Sequence, residues 1–388
     1  MKVLLCHNFY KESGGEDLVF YNEKKLLERN GNAVSIYIEK NNTINNLINK
    51  INTFINSAYS RKTKLKFERF INLENPDIVH VHNFFPLITP SIYDVCRKHN
   101  IPVIQTLHNY RIICSAATLL KNGKTCEICI KNSPYQSVRY KCYQQSYIGS
   151  FALARMINTH KKSGTWNKKL NSIITLTDFG RNKFIESGIN PSKLIVKPNF
   201  IEDPKIEKKP TGAHTVLFVG RISDEKGIDF LISTWRSNES LPELRIIGDG
   251  PLYKKHSEEV SHNITFLGKK EKNVIYKEMS DASCLVFPSI WYEGFPMVIL
   301  EAFAIGLPVI ASNFGSMSSI IKNGYNGLHF EPSNRADLIN KVFSIINNSQ
   351  LESELSKNAR VDYEQFYTPE KNYEMLMDIY KRAINECQ

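Results

Sequence analysis

Two glutamates in the stretch WYEGFPMVILEA are spaced so that they could do chemistry: Glu293 stands ahead of a helical pattern and Glu301 lies inside it. Pro296 suits a first helical turn and MVILEAFA continues with strong helix formers, so a helix is expected to begin between Gly294 and Met297, through Phe295. Free backbone N–H groups at such a start take up a phosphate or sugar oxygen. Ionised carboxylates only accept hydrogen bonds, so both glutamates repel phosphate and welcome hydroxyls. Upstream, the strand-like TVLFV runs into GRISDEKG, which sets Gly220, Arg221 and Lys226 at a strand end. Arg offers a planar fork of donors and Lys a compact charge, a pair suited to a diphosphate. A second such loop, GDGP, contributes Gly248, Asp249 and Gly250, whose glycines would let the backbone approach a ligand and expose its N–H groups. Each feature alone also fits an ordinary turn, two surface cations or a helix cap. Together they fit a diphosphate between two polyhydroxylated rings, which is a nucleotide sugar.

The elements that must position these residues follow from patterning. Apolar runs such as KVLLCH, AVSIYIE, DIVHVH, PVIQTLH and SIITLT alternate with helical patterns, and a second series, TVLFVG, LRIIGDG, NITFLG, SCLVFPS and PVIAS, does the same. That alternation predicts α/β architecture, with parallel sheets and crossover helices. The charged, Pro-containing EDPKIEKKPTG, from Glu202 to Gly212, reads as a linker and divides the chain near residue 205 into two doubly wound halves. Ligands of such sheets bind outside the carboxyl ends of the strands, so a cleft between two facing halves is the expected site.

Bulk composition agrees with two soluble domains. The chain has 388 residues, 42% hydrophobic and 23% charged, and exceeds the roughly 250–300 residues at which one core stops growing. No apolar run approaches the roughly 20 residues of a membrane-spanning helix, and MKVLLCHN is too short in its apolar part for a signal peptide, which predicts a cytoplasmic protein. The net charge of +11 is uneven: from Glu127 to Asp178 there is no acid, but Lys131, Arg139, Lys141, Arg155, Lys161, Lys162, Lys168 and Lys169. Such a segment is a solvated basic face, or it attracts phosphate-bearing ligands or an anionic membrane surface. The apolar YIGSFALARMI within it favours a peripheral position on the inner face of the membrane.

With Glu293 and Glu301 in Glu-x7-Glu spacing, and GRISDEKG, GDGP, FLG, SCLVFPS and EPSN in order over most of residues 212 to 335, the second half resembles the donor half of family 4 retaining glycosyltransferases of the GT-B fold, two Rossmann-like domains facing a cleft. The resemblance implies that Arg221 and Lys226 hold the donor diphosphate, Glu293 the donor sugar and Glu301 the nucleotide ribose, with Gly268 in the base-contacting loop. The first half is similar: SGGED, with Gly14, Gly15 and Glu16, matches a Gly-rich loop near donor phosphate and acceptor; His108 in TLHN matches a histidine lining the sugar site; and Asn199 in KPNF lies at the domain crossing. Strand alternation sends His80 and His82 of PDIVHVHN to one face, and His82 is the one expected to reach the acceptor. The resemblance thus implies an acceptor-binding domain at 1–204 with an insertion at 110–145, a donor-binding domain at 205–366, and a tail, 367–388, that crosses back onto the first domain. The implied activity is that of a retaining hexosyltransferase moving sugar from a nucleotide diphosphate donor to a glycan or lipid-linked acceptor, as in bacterial O-antigen, capsule or exopolysaccharide synthesis. No Asp-x-Asp occurs in the chain, so no divalent ion or other cofactor is expected for catalysis. Preorganised cations would stabilise the departing diphosphate, and no side chain is assigned as nucleophile.

Eight cysteines in a cytoplasmic protein should be reduced. Cys114, Cys126, Cys129 and Cys142 form Cys-x11-Cys-x2-Cys-x12-Cys, which is either a structural zinc site, a set of reduced thiols or a redox-labile pair. An insertion of this kind is similar to one found in a bacterial subgroup of the same family. Two enzymatic alternatives share the fold, a nucleotide-sugar epimerase and a glycan phosphorylase. A basic nucleic-acid-binding protein would use Tyr135, Tyr140, Tyr143 and Tyr147 as stacking platforms, but it leaves the glutamates and phosphate loops unexplained, and no nucleic-acid partner is expected.

Overall fold

The computed structural model describes residues 1–388 except 12, 13, 45, 46, 210–213, 260 and 388, and omits the side chains of 43 and 47–51. Ser13 of SGGED and residues 210–212 of the expected linker therefore lie outside the described residues. The chain forms two compact units, one of Met1–Lys121, Cys126–Asn199 and Asn372–Gln388, the other of Asn122–Thr125 and Phe200–Lys371.

The strands are β1 (Lys2–Phe9), β2 (Ala33–Lys40), β3 (Ile78–Asn83), β4 (Val103–Leu107), the two-residue β5 (Leu120–Lys121) and β6 (Lys124–Thr125), β7 (Ser172–Thr175) and β8 (Leu194–Val196), then β9 (Thr215–Val219), β10 (Glu243–Ile247), β11 (Ile264–Gly268), β12 (Cys284–Phe287), β13 (Val309–Ser312) and β14 (Gly327–Phe330). Unit 1 holds a six-stranded sheet in the order β2-β1-β3-β4-β7-β8, and unit 2 one in the order β11-β10-β9-β12-β13-β14. Every pairing within both sheets is parallel. Parallel strands are covered by helices on both faces and need continuous apolar runs. Val3, Leu4, Leu5 and Cys6 are fully buried accordingly, as are Val216, Leu217 and Phe218.

In each sheet the strand order reverses once, between β1 and β3 and between β9 and β12. Crevices outside the carboxyl ends at such switch points are where open α/β sheets hold ligands. The GGED segment follows β1 and GRISDEKG follows β9; WYEGFP follows β12. The topology therefore delivers the acidic and basic motifs to the switch point of their own unit.

Apart from the Asn122–Thr125 segment, the chain changes units at Asn199–Phe200 and again at Lys371–Asn372, rather than at residues 204 and 366. Local bonds explain the shift. Asn372 Nδ2 donates to Pro198 O at 2.7 Å, whereas Ile201 N–H donates to Tyr367 O at 3.3 Å inside unit 2. The last helix, Pro369–Asn385, buries Leu376, Ile379, Tyr380 and Ala383 with Val3, Leu5, Phe20 and Ile78 in the core of unit 1.

Candidate active site

In unit 2 the helix expected after WYEGFP spans Met297–Ile305, with Pro296 at its N-cap and no side chain capping it. Within that first turn Ile299 N–H donates to Pro296 O at 3.1 Å, and the positive end of the helix still favours an anion. Glu293 precedes the helix and is only 5% exposed. Lys226 Nζ donates to its Oε1 at 2.6 Å and Ser289 Oγ to the same atom at 2.8 Å. The loops carrying the pair are tied together, because Ile290 N–H donates to Glu225 O at 3.1 Å, with Ser289 Oγ 3.2 Å from the same carbonyl. Lys226 also lies over the rings of Phe287 (5.3 Å) and Trp291 (5.7 Å). Arg221 is exposed on the loop after β9. Glu301 lies inside the helix with Lys272 Nζ 3.6 Å away. Burial raises the Glu301 pKa above the ordinary glutamate value, with Lys272 opposing.

The glycine loops serve a different purpose from the one their sequence suggests. A Cβ on Gly248 would sit 1.8 Å from Gly220 O, and one on Gly250 would sit 2.4 Å from Ile222 O. These glycines therefore permit two strand-end loops to pack backbone to backbone. Their N–H groups are spent inside the protein: Gly220 N–H bonds Ile247 O, Gly248 N–H bonds Gly268 O, and Gly250 N–H bonds Asp249 Oδ1. The expectation that GDGP offers amides to a phosphate is corrected on this ground. Arg221, Lys226 and the helix start are the candidate groups of unit 2 for an anion.

In unit 1, Gly14 and Gly15 open the helix Gly15–Arg29, and a Cβ on either would meet nothing within 4 Å. The Asp17 carboxylate accepts from Gly14 N–H at 3.1 Å and from His7 Nε2 at 2.8 Å. Glu16 accepts from Asn83 Nδ2 at 3.2 Å and from Asn109 Nδ2 at 3.1 Å. Burial, with the Asp17 charge adding to it, pushes its pKa up to about 7, so both protonation states are populated near neutrality. Behind Glu16, Arg111 stacks on Phe85 (5.0 Å) and Tyr143 (5.4 Å), and its Nε is buried without a partner. Phe85, Pro86, Tyr143, Gln144, Phe54 and Tyr10 line a pocket of about 630 Å³.

His82 does not reach a ligand. It is 3% exposed, and both ring nitrogens are engaged, Nε2 by Glu23 Oε1 at 3.1 Å and Nδ1 by His108 Nε2 at 3.0 Å. Alternation does place His80 and His82 on one face, their rings 4.4 Å apart, but β3 is a central strand and that face is covered. Half-buried His108 lies over His82 at the end of β4, the rings stacked at 5.2 Å.

Sequence reasoning missed Glu23, Asn83, Asn109, Arg111 and Lys197. Two signals could have found most of them. Glu23 falls on the apolar stripe of its helix, between Val19 and Leu26, where a carboxylate needs a partner. His-Asn ends both VHVHN and TLHN, and both asparagines donate to Glu16.

Among the described residues, Glu23–His80–His82 and His7–Glu16–Asp17 bring three metal-ligating atoms within 4.8 Å of one another. In the first group Lys197 Nζ already bonds Glu23 Oε2 at 3.2 Å, so a metal cation would meet an ammonium. Cys114, Cys126, Cys129 and Cys142 are free thiols and are not one of these groups. Burial pushes the Cys129 thiol up to about 12, and the other three cysteines add to that rise, so the four share one neighbourhood. The backbone around them is strained: Ala117, Leu119, Asn122, Lys141, Gln144 and Gln145 all have φ between +49° and +66°.

No helix of the described residues is long and apolar enough to cross a membrane. The helix Tyr147–Ser163 nonetheless leaves Ile148 71% and Phe151 51% exposed near its start, with the exposed Lys161 and Lys162 in its last turn.

Residues 14–203 match the family model of Glycosyltransferase Family 4, and residues 199–362 that of glycosyl transferases group 1. An uncharacterised glycosyltransferase of Methanocaldococcus jannaschii is 29% identical over 369 residues, which is 93% of this chain and 92% of the relative. The crystal structure of Anabaena Alr3699/HepE in complex with UDP superposes with a TM-score of 0.69 at 16% identity, over 97% of this chain and 99% of that one. The lipopolysaccharide outer core galactosyltransferase WaaB gives 0.68 at 17% identity, over 97% and 99%. These likenesses show the GT-B fold of the two parallel-sheet units. The chain is a glycosyltransferase, with an N-terminal domain of the family 4 type and a C-terminal domain of group 1.

Proposed function

We propose that the chain is a retaining, metal-independent hexosyltransferase that takes sugar from a nucleoside diphosphate donor to a lipid-linked glycan in bacterial surface polysaccharide synthesis. The Lys226–Glu293 pair, beside an uncapped helix start at the β9/β12 switch point, carries the reading. Lys226, Arg221 and that helix start face the diphosphate. Glu293 and Glu301 accept hydroxyls of the transferred sugar and the ribose. Departing diphosphate charge is stabilised by cations already in place. Support for the donor class comes from HepE, whose structure contains UDP; support for a surface glycan comes from the outer core galactosyltransferase. On the acceptor side, Glu16 and His108 meet hydroxyls, while the aromatic pocket beside Arg111 suits the apolar part of an amphipathic acceptor. Exposed Ile148 and Phe151 within the basic, acid-free segment suit an anionic membrane surface, where the protein would sit as a peripheral cytoplasmic enzyme.

One assay separates the readings: labelled UDP-, GDP- and ADP-sugars incubated alone, then with polyprenyl-diphosphate-linked sugar in anionic or zwitterionic vesicles. Transfer to lipid with the anomeric configuration kept, faster on anionic vesicles, is the expected result. Conversion of donor without acceptor would instead mean an epimerase, and equal rates on both vesicles would remove the membrane surface.

The four cysteines are proposed as a structural zinc site that secures the strained 110–145 insertion. Metal analysis of the purified chain is expected to give one zinc, lost in Cys126→Ser. Absence of zinc with four reactive thiols in the folded protein would leave them as plain reduced cysteines.

A further inference from the structure

We infer that Glu23, backed by Lys197, fixes the proton positions on His82 and His108 so that His108 presents a bare Nδ1, an acceptor only, to whatever ligand group meets it. Glu23 and Lys197 are thus positioning residues acting through His82, and the inference rests on the reading of His108 as ligand-facing.

The order of protons follows from the donors and acceptors along the row. Lys197 Nζ bonds Glu23 Oε2 at 3.2 Å and is itself held by Asn372 Oδ1 at 2.8 Å. An ammonium can only donate and a carboxylate can only accept. Glu23 is 1% exposed. Burial alone would raise its pKa, but Lys197, His80 and His82 together pull it well below the ordinary value, so it stays a carboxylate. Its Oε1 is therefore the acceptor of the 3.1 Å bond from His82 Nε2, which must carry a proton. The remaining partner of that oxygen is His80 Nδ1 at 2.9 Å, and His80 Nε2 meets Thr106 Oγ1 at 2.8 Å.

Burial, with His80 adding to it, holds the His82 pKa at about 4. The ring is therefore neutral and carries one proton, which Nε2 holds. His82 Nδ1 is then a lone pair, and the 3.0 Å contact requires His108 Nε2 to donate. Burial and the neighbouring His82 also hold His108 neutral. Its one proton is used at Nε2, and Nδ1 is bare. Among the described residues His108 Nδ1 has no hydrogen-bond partner, and the residue stands just past the carboxyl end of β4, the neighbour of β3.

The consequence is a selection rule. A bare imidazole nitrogen accepts from a hydroxyl and repels a phosphate or carbonyl oxygen, which have no proton to give. His108 therefore reads a hydroxyl of a sugar, and the diphosphate is excluded from its side.

Glu23→Gln tests the relay sharply. Lys197 can only donate, so the amide oxygen must face Lys197 and the amide NH2 must face His82. His82 Nε2 then becomes the acceptor, its proton moves to Nδ1, and His108 is left with Nε2 bare and Nδ1 protonated. Both tautomers invert. Long-range 1H–15N correlation spectra of the full chain without ligand, with His108 signals identified by their loss in His108→Gln, report the protonated nitrogen directly. The expected result is Nε2–H for His82 and His108 in the wild type and Nδ1–H for both in folded Glu23→Gln. A wild-type His108 protonated at Nδ1, or tautomers unmoved in folded Glu23→Gln, would overturn the inference. If Glu23→Gln does not fold, the wild-type spectrum alone decides. Because no ligand is present, failure of the transferase reading leaves this result intact, and failure of the tautomer assignment leaves the donor residues of unit 2 untouched.

Discussion

Lys226→Ala and Glu293→Ala are each expected to lower kcat/KM for sugar transfer by about 10²- to 10³-fold, the usual loss when one preorganised charge partner of a transition state is removed. Lys226 would face the diphosphate as it departs, and its charge is worth most when negative charge is greatest, so the loss falls mainly on kcat. Glu293 would hold the transferred sugar and, at 2.6 Å, also aims Lys226. The two act as one unit, so the double variant should fall little below the worse single variant. Stability should separate them. Without Lys226 the Glu293 carboxylate, 5% exposed, keeps only Ser289 Oγ as a side-chain partner among the described residues. Leaving a buried charged acceptor under-satisfied costs about 1–3 kcal/mol. Without Glu293, Lys226 is more exposed and can turn to water. Lys226→Ala should therefore unfold at a lower temperature than Glu293→Ala. Thermal unfolding and steady-state kinetics measure both statements. Folded variants with wild-type transfer would rule out the site, and the reverse order of midpoints would refute the pairing argument.

The fold was legible because its signals are local. Apolar runs such as TVLFV and SCLVFPS are what a parallel strand needs on both faces, and both sheets follow from their alternation with helical patterns. The helix after WYEGFP began where Pro296 placed it. Glu293 and Lys226, both expected on strand-end loops of the second half, meet at 2.6 Å from two different loops. What stayed hidden lies in contacts that only the folded chain creates. Gly248 and Gly250 look like ligand-approach glycines, yet the atoms they make room for belong to Gly220 and Ile222, on a neighbouring strand end. His82 was expected to reach the acceptor, because a period of two decides the face of a strand but not what covers that face. Its covering partners, Glu23 and His108, come from a helix and another strand. The unit boundary moved to Asn199 because Asn372, near the far end of the chain, bonds Pro198.

Glu301 should behave differently from Glu293. As the proposed ribose contact it would lie away from the bond that breaks, so its interaction would be the same in ground and transition states. Such uniform binding is lost in KM and not in kcat. Hydrogen bonds to an ionised acceptor contribute about 1.5–3 kcal/mol each, so Glu301→Ala is expected to raise KM for the nucleotide sugar by about 10²-fold or more with kcat nearly unchanged. Glu301→Gln keeps one acceptor and should lose less. A donor lacking the ribose 2′-hydroxyl should bind the wild type more weakly, but should be handled by Glu301→Ala nearly as well as the intact donor, since the partner of that hydroxyl is already gone. The pH dependence has a definite sign. Burial raises the Glu301 pKa and Lys272 only partly opposes it. The folded state therefore favours the protonated form, and stability contributed by this group is lost as pH rises from the ordinary glutamate value through the raised one. Donor affinity moves the opposite way, because only the carboxylate accepts both hydroxyls, so KM should rise as pH falls through the same range. Lys272→Ala removes the opposing charge and should shift that rise to higher pH. A Glu301→Ala enzyme with normal KM and reduced kcat would place this carboxylate at the chemistry instead of the ribose, and the division of labour between the two glutamates would have to be reversed.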